Sequence, residues 1–353
     1  MSQPESGREV AASAATLLRA HYVLPDRAGQ AAAAIEASLA AGEYDDLDEL
    51  SLAERLTAQM HEFCADKHLR VRLGDPGRPR SPEAEPTEPT ERAEPGPAAP
   101  APSPADREKA RRSRQERGRL DNFGIARVER LDGNVGYLDL RRMPDPANAG
   151  PAMAAAMELV SGTYALIIDL RSNGGGMPDG VIFWCSYLFP DGDTHLNDIF
   201  DAESGLTRQF WSLAYVPGRR YLDRPVYVLT SERTFSGAEE LCYNLQAQGR
   251  AELIGETTGG GAHPTRMLPL GPAMVIAMPY ARSVNPVTGT NWEGTGVVPD
   301  IAVPAAEARD VAYARALRHV LSDTLPSGTV PPPIADEASA ALAALPAGGS
   351  RRP

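Results

Sequence analysis

The chain has 353 residues, room for about two domains and a substantial core. Hydrophobic residues make up 42%, and a net charge of −12 with a pI near 5.1 argues against a general nucleic-acid binder. The three cysteines, Cys64, Cys185 and Cys242, have no metal-ligand spacing and are expected to be reduced and mostly buried.

Residues 8–65 read as a small helical domain. Val10, Ala14, Leu17 and Leu18 recur at helical spacing, and Pro25 ends that helix. The same stretch lacks a basic start and a leader-length apolar run, so no signal peptide is expected. No apolar run approaches the ~18 residues of a membrane span, which makes a cytoplasmic location the default. Residues 31–39 and 52–63 give two more amphipathic segments, with 42–48 as the loop between them. From His68 the run His68-Leu69-Arg70-Val71-Arg72-Leu73 alternates like a short strand. Residues 76–106 are rich in Pro, Glu and Ala. Such a composition cannot bury enough apolar surface to offset its ordering entropy, so disorder is expected. The basic run over 107–119 reads as a solvated helix or linker end.

Residues 125–131 and 135–140, joined by Asp132-Gly133-Asn134, read as a β-hairpin. A helix is expected over 151–161. Residues 164–170 form a continuous apolar strand, the mark of a buried, parallel-type position. That strand empties into Arg171-Ser172-Asn173-Gly174-Gly175-Gly176, and residues 180–188 are again helical. A second apolar run, 226–230, turns through Ser231–Phe235 into a helix at Ser236-Gly237-Ala238-Glu239. The order implies right-handed crossovers in an α/β unit. Residues 253–254, 274–278 and 297–298 add later strands, 306–322 a helix, and the tail from 326 onwards is expected to fray.

Two stretches carry chemistry. A serine where a strand turns into a helix is held at a sheet edge beside free helix N-terminal N–H groups. That geometry suits an acyl-transfer nucleophile with a built-in oxyanion hole. The competing reading makes Ser236 a helix cap, since Ser236 and Glu239 fit a capping box. The glycine run at 174–176 permits positive φ and can aim N–H groups into a site. It lacks the spacing of a phosphate loop, and a purely structural turn is the alternative. No His/Cys/Asp cluster has metal-ligand spacing, and no cofactor is expected.

Four blocks then add up to a family: Asp169-x-Arg171-x-Asn173-Gly174-Gly175-Gly176; Thr234-Phe235-Ser236-Gly237-Ala238-Glu239; Ile254-Gly255-Glu256-Thr257-Thr258-Gly259-Gly260-Gly261; and Glu293-Gly294-x-Gly296-Val297-x-Pro299-Asp300. In order and spacing they resemble the tail-specific, or C-terminal-processing, serine peptidases of family S41. His21-Tyr22-Val23-Leu24-Pro25, Ala41-Gly42-Glu43-Tyr44 and Asp66-x-His68-Leu69-Arg70-Val71 resemble its interphotoreceptor retinoid-binding-protein branch. The resemblance implies an α/β fold: a ClpP/crotonase-like core of βα units over 119–325 and an N-terminal helical domain over 1–75. Residues 76–118 would be a linker that leaves no room for the family's usual PDZ domain, and 326–353 a flexible tail.

The resemblance also implies roles. Ser236 becomes the nucleophile, with the Gly237 N–H and one from the glycine turn, chosen as Gly175, as oxyanion donors. Many relatives use a lysine about 25 residues beyond the serine. Here that register falls at Gly261, and the only lysines are Lys67 and Lys109. The tricorn-type pattern of an upstream histidine and a late glutamate instead matches His68 and Glu293. Lys67, standing where that pattern has a serine, and His263, just after the glycine run, are the alternative bases. The implied activity is hydrolysis of peptide bonds in a peptide or protein substrate through an acyl-enzyme, with no nucleic-acid or membrane partner and with room for a homo-oligomer. The rival is a non-catalytic module binding an apolar ligand, such as a retinoid or fatty acid, on the same scaffold.

Overall fold

The computed structural model describes residues 7–74, 103–322 and 329–346. The chain divides into two compact units. One comprises residues 1–116, 199–208 and 263–282, the other residues 117–198, 209–262 and 283–353. The later segments 199–208 and 263–282 belong with the N-terminal unit, where a strand from residues 274–279 completes its sheet.

The first unit starts with α1 (Gly7–His21), α2 (Pro25–Ala40) and α3 (Glu49–Cys64). Pro25 does not end α1 so much as begin α2, at a position where the missing N–H costs nothing. Asp48 caps α3 by accepting from the Ser51 N–H, and Ala65 closes it in the left-handed conformation. Strand β1 (Arg70–Leu73) follows, then α4 (Pro104–Leu120) in the basic run. The 76–102 part of the expected disordered segment lies outside the described residues.

In the second unit, β2 (Ile125–Leu131) and β3 (Val135–Leu140) form the expected hairpin. Helix α5 (Pro146–Val160) starts five residues earlier than read from the sequence, because Asp145 caps it at the Ala147 N–H and Pro146 is helix-compatible there. Strand β4 (Ala165–Asp169) and α6 (Pro178–Ser186) come next. Then β5 (His195–Asp201) and β6 (Thr207–Trp211), unforeseen in the sequence, carry the chain from one unit to the other and back. Strand β7 (Val226–Thr230), α7 (Gly237–Ala247) and β8 (Glu252–Gly255) lead to β9 (Thr265–Pro269), β10 (Met274–Pro279) and β11 (Ala281–Val284). The chain continues through β12 (Ile301–Ala302), α8 (Ala305–Val320) and α9 (Pro332–Ala344). The expected strand at 297–298 is irregular; the residues that pair with β8 are Ile301 and Ala302. Helix α9 occupies part of the tail expected to fray, burying Ala338 in the α8 core.

The second unit is built on a six-stranded sheet in the order β12-β8-β7-β4-β3-β2, parallel except at the β2–β3 hairpin. Tyr137, Ile167, Leu229 and Ile254 pack with Ala308, Ala312 and Ala316 of α8, whose small side chains at i, i+4 let the helix lie close on the sheet. The alternate residues Leu166, Ile168, Val228 and Leu253 are buried as well, so both faces are covered, as their unbroken apolar runs require. The first unit packs α1–α3 with an antiparallel sheet in the order β1-β10-β9 around Leu18, Ile35, Leu56, Met60, Val71 and Ile276.

Candidate active site

Ser236 stands where β7 becomes α7, at φ +54 and ψ −124. A non-glycine residue with this backbone is strained by about 1–3 kcal/mol and persists only where its surroundings dictate it. Here they do. The Ser236 N–H donates to Glu239 Oε2 at 2.8 Å, so Glu239 closes its side of the predicted capping box. The same carboxylate accepts from the Gly261 N–H (2.8 Å), the Gly260 N–H (2.6 Å) and Thr258 Oγ1 (2.5 Å). Burial pushes the Glu239 carboxyl up, and these four donors counter it. Gly237 is the first residue of α7, where a backbone N–H has no acceptor inside the helix.

The glycine turn after β4 lies directly on this serine. A Cβ on Gly175 (φ +96) would come 2.8 Å from Ser236 Cβ and 2.8 Å from the Gly237 nitrogen, so only glycine fits. Asp169, at the end of β4, accepts from Tyr137 Oη (2.6 Å) and binds Arg171 through Nε and Nη2 (2.6 Å), which fixes the exit from the strand. Asn173 Nδ2 donates to the Leu140 carbonyl, and the Phe235 N–H donates to the Asn173 carbonyl, joining the two strand-end turns. The Gly175 N–H itself donates to Asn173 Oδ1 at 2.9 Å. The sequence choice of Gly175 as an oxyanion donor therefore meets an N–H already engaged in this conformation. Gly176, one residue on, has its nitrogen 3.2 Å from the Cβ position of Gly237.

Glu293 follows buried Trp292, whose Nε1–H donates to the Gly261 carbonyl. Its Oε2 accepts from the Ala262 N–H. Ser236, Gly237, Gly175, Glu239 and Glu293 thus belong to one unit. A hydrogen-bonded run links them from Ser236 through Glu239 and residues 260–262 to Glu293. The sequence reading treated Glu239 only as a cap. Its wider role is not legible locally, because two of its donors are backbone N–H groups 21 and 22 residues away and a third is a hydroxyl 19 residues away.

The candidate bases lie in the other unit. Asp66 is buried between α3 and β1, and the chain there is not extended. The Leu69 N–H donates to the Asp66 carbonyl and the His68 N–H to Asp66 Oδ1 (2.9 Å), a side-chain-capped turn. The strand expected from His68 therefore starts later, at Arg70. The His68 imidazole is mostly but not fully buried, and burial pulls its pKa down to about 4 despite the nearby Asp66 charge. Lys67 is exposed. His263, also buried, holds Asp66 Oδ2 through Nδ1 at 2.7 Å. Burial raises the Asp66 carboxyl, but the His263 hydrogen bond and the imidazole charges outweigh it and hold the group low.

Three of the remaining histidines are engaged by local partners. His61 Nε2 contacts the Leu69 carbonyl (2.7 Å). His195 pairs with Asp198 (2.7 Å) and stacks on Trp211, and His21 pairs with Glu203 (2.6 Å). Arg266 also binds Glu203 (2.7 Å) and covers Tyr280, while Arg282 covers Phe200. The three cysteines are free thiols, with Cys185 and Cys242 buried. Among the described residues no helix is long and apolar enough to cross a membrane.

Residues 134–303 match the model of peptidase family S41, and residues 5–110 match the N-terminal domain of that family in the eukaryotic retinoid-binding protein. The chain is 26% identical over 185 residues to a chloroplastic carboxyl-terminal-processing peptidase 2 of Arabidopsis thaliana, covering 50% of this chain and 33% of that one. It is 27% identical over 178 residues to a carboxyl-terminal-processing protease of Picosynechococcus, covering 50% and 41%. This chain therefore matches less than half the length of either relative. A putative peptidase structure from Parabacteroides merdae superposes with a TM-score of 0.56 at 14% identity, covering 90% of this chain and 98% of that one, a likeness of fold. With two family models matching most of its length and the four motif blocks in order, the chain belongs to peptidase family S41.

Proposed function

We propose that the protein is a serine-type peptidase that hydrolyses peptide bonds through an acyl-enzyme on Ser236. The observation that carries the reading is the strained Ser236 backbone, held by Glu239 with the glycine turn packed on it. A cap alone needs no such strain. In this reading Ser236 Oγ attacks the scissile carbonyl and its proton passes to an imidazole. The oxyanion is met by the Gly237 N–H and a second N–H from the turn at 174–176, with Gly175 contributing once Asn173 lets go. Two curated relatives are named for carboxyl-terminal processing, which points to substrates cut near a free C-terminus.

His68 is the base by resemblance, with Glu293 as the carboxylate of the catalytic set. Its low pKa keeps the imidazole neutral, and so able to accept a proton, across the physiological range. A second reading gives the role to His263, whose Nδ1 is held by buried Asp66 so that Nε2 is the accepting atom. Lys67 is the weakest of the three, because its side chain is exposed to solvent, where nothing excludes water from the ammonium. The cytoplasm remains the proposed location.

The test is turnover of a peptide panel with free and amidated C-termini. Ser236→Ala should lower turnover by at least about 10⁴-fold with an unchanged melting transition. Turnover that survives in a folded Ser236→Ala protein would move the chemistry elsewhere.

A further inference from the structure

Four side chains meet in the first unit: His21 at the end of α1, Arg266 on β9, Tyr280 just after β10, and Glu203 on the turn between β5 and β6. Both Glu203 carboxylate oxygens are in use. Oε1 lies 2.6 Å from His21 Nδ1, and Oε2 accepts from Arg266 Nη2 at 2.7 Å. The Tyr280 ring centre is 5.3 Å from the guanidinium carbon and covers one face of it.

Glu203 is an imperfect occupant of this place in two ways. Among the described residues, Arg266 Nε is buried with no hydrogen-bond partner, although Nη2 of the same guanidinium is bonded. Arg141–Asp139 and Arg315–Glu252 show what a full fit looks like in this protein: Nε and Nη2 each donate to one carboxylate oxygen. The second conflict is at His21 Nδ1, which also lies 2.9 Å from Arg266 Nη2. One ring nitrogen either donates or accepts. With a proton, Nδ1 faces an Arg266 N–H; without one, its lone pair faces Glu203 Oε1. Neither tautomer suits both neighbours. A carboxylate laid flat along the Nε–Nη2 edge would pair both nitrogens and leave Nδ1 to accept from Arg266 alone.

We propose that Arg266, with His21 beside it, is a binding site for the terminal carboxylate of a peptide substrate, and that Glu203 is a stand-in which the ligand displaces. This rests on the reading of the protein as a peptidase acting near free C-termini. The backbone under Glu203 is pinned: the Glu203 and Ser204 N–H groups donate to Asp201 Oδ1, and the Ala202 N–H donates to the Tyr280 carbonyl. Its side chain, 40% exposed, can still rotate into water without moving that turn. The exchange puts one carboxylate in place of another at the same guanidinium, so the charge balance is kept. It gains a charge-assisted hydrogen bond at Nε, because a peptide terminus is not tied to the turn and can adopt the side-on geometry.

The test uses the full chain carrying Ser236→Ala, which keeps peptides intact. Mixed-sequence heptapeptides differing only in a free or amidated C-terminus are equilibrated with it, and the bound fraction is read by mass spectrometry. Free termini should bind roughly tenfold tighter than amides. Glu203→Gln removes the competing charge and should tighten the free-carboxylate peptides about tenfold further while leaving the amides unchanged. Arg266→Lys keeps the charge but loses the Nε–Nη2 edge, and should erase the preference. Should that variant misfold, the exposed Glu203 position still decides the matter. Acetate should fail to compete. Equal binding of free and amidated peptides, weaker free-peptide binding in Glu203→Gln, or competition by acetate as strong as by the peptides overturns the proposal. None of these readouts uses the Ser236 hydroxyl. A protein that resists fluorophosphonate yet prefers free termini loses the nucleophile reading alone, and one that labels at Ser236 without that preference loses this site alone.

Discussion

Each unit holds its candidate catalytic groups with one buried carboxylate, and the two carboxylates are used differently. Glu239 takes three backbone N–H groups and one hydroxyl, none of which titrates near neutral pH. Asp66 takes an imidazole and the backbone beside a second imidazole. The serine is thus fixed mainly by backbone donors, and Asp66 mainly by a side-chain imidazole and the turn it caps.

The largest expected effect is on the rigid side. Glu239→Ala would leave four donors without their acceptor, costing about 4 kcal/mol in chemical unfolding. The equivalent truncation of Asp66, with fewer donors to abandon, should cost less; the reverse order would break the contrast. Next comes the base. His68→Ala is expected to lower peptide turnover by at least ~10²-fold. Full turnover in that variant, together with loss in His263→Ala and Asp66→Asn, would hand the role to the His263–Asp66 pair. The smallest effect is on pH dependence. Burial holds the His68 pKa near 4 in the folded chain against 6.5 unfolded, so the unfolded chain binds the proton first. Stability should be lost as pH falls from about 6.5 to about 4, by roughly 2–3 kcal/mol, and His68→Gln should remove that slope. Urea titrations at pH 7 and pH 4.5 measure it.

Much of the core was legible because its signals are local. The unbroken apolar runs of β4 and β7, the Asp132-Gly133-Asn134 turn, and the strand-turn-helix at Ser236 each announce themselves within a few residues. What stayed hidden depends on distant partners. β5 and β6 are polar on one face and look like loop, and the 297–298 run looks like a strand yet is irregular, following a turn with glycines of positive φ at 294 and 296. His68 reads as the start of a strand because nothing local shows that the Asp66 side chain caps a turn there. The engagement of the Gly175 N–H by Asn173 was likewise invisible, although both residues were singled out.

The central claim is that the Ser236 hydroxyl is an activated nucleophile. Its most direct test is the intact mass of the folded protein after fluorophosphonate treatment, with the modified peptide sequenced. The account predicts one adduct, on Ser236, that disappears in Ser236→Ala and slows in the variant lacking the catalytic imidazole. A folded protein that stays unmodified, or carries its adduct on another residue, would contradict it.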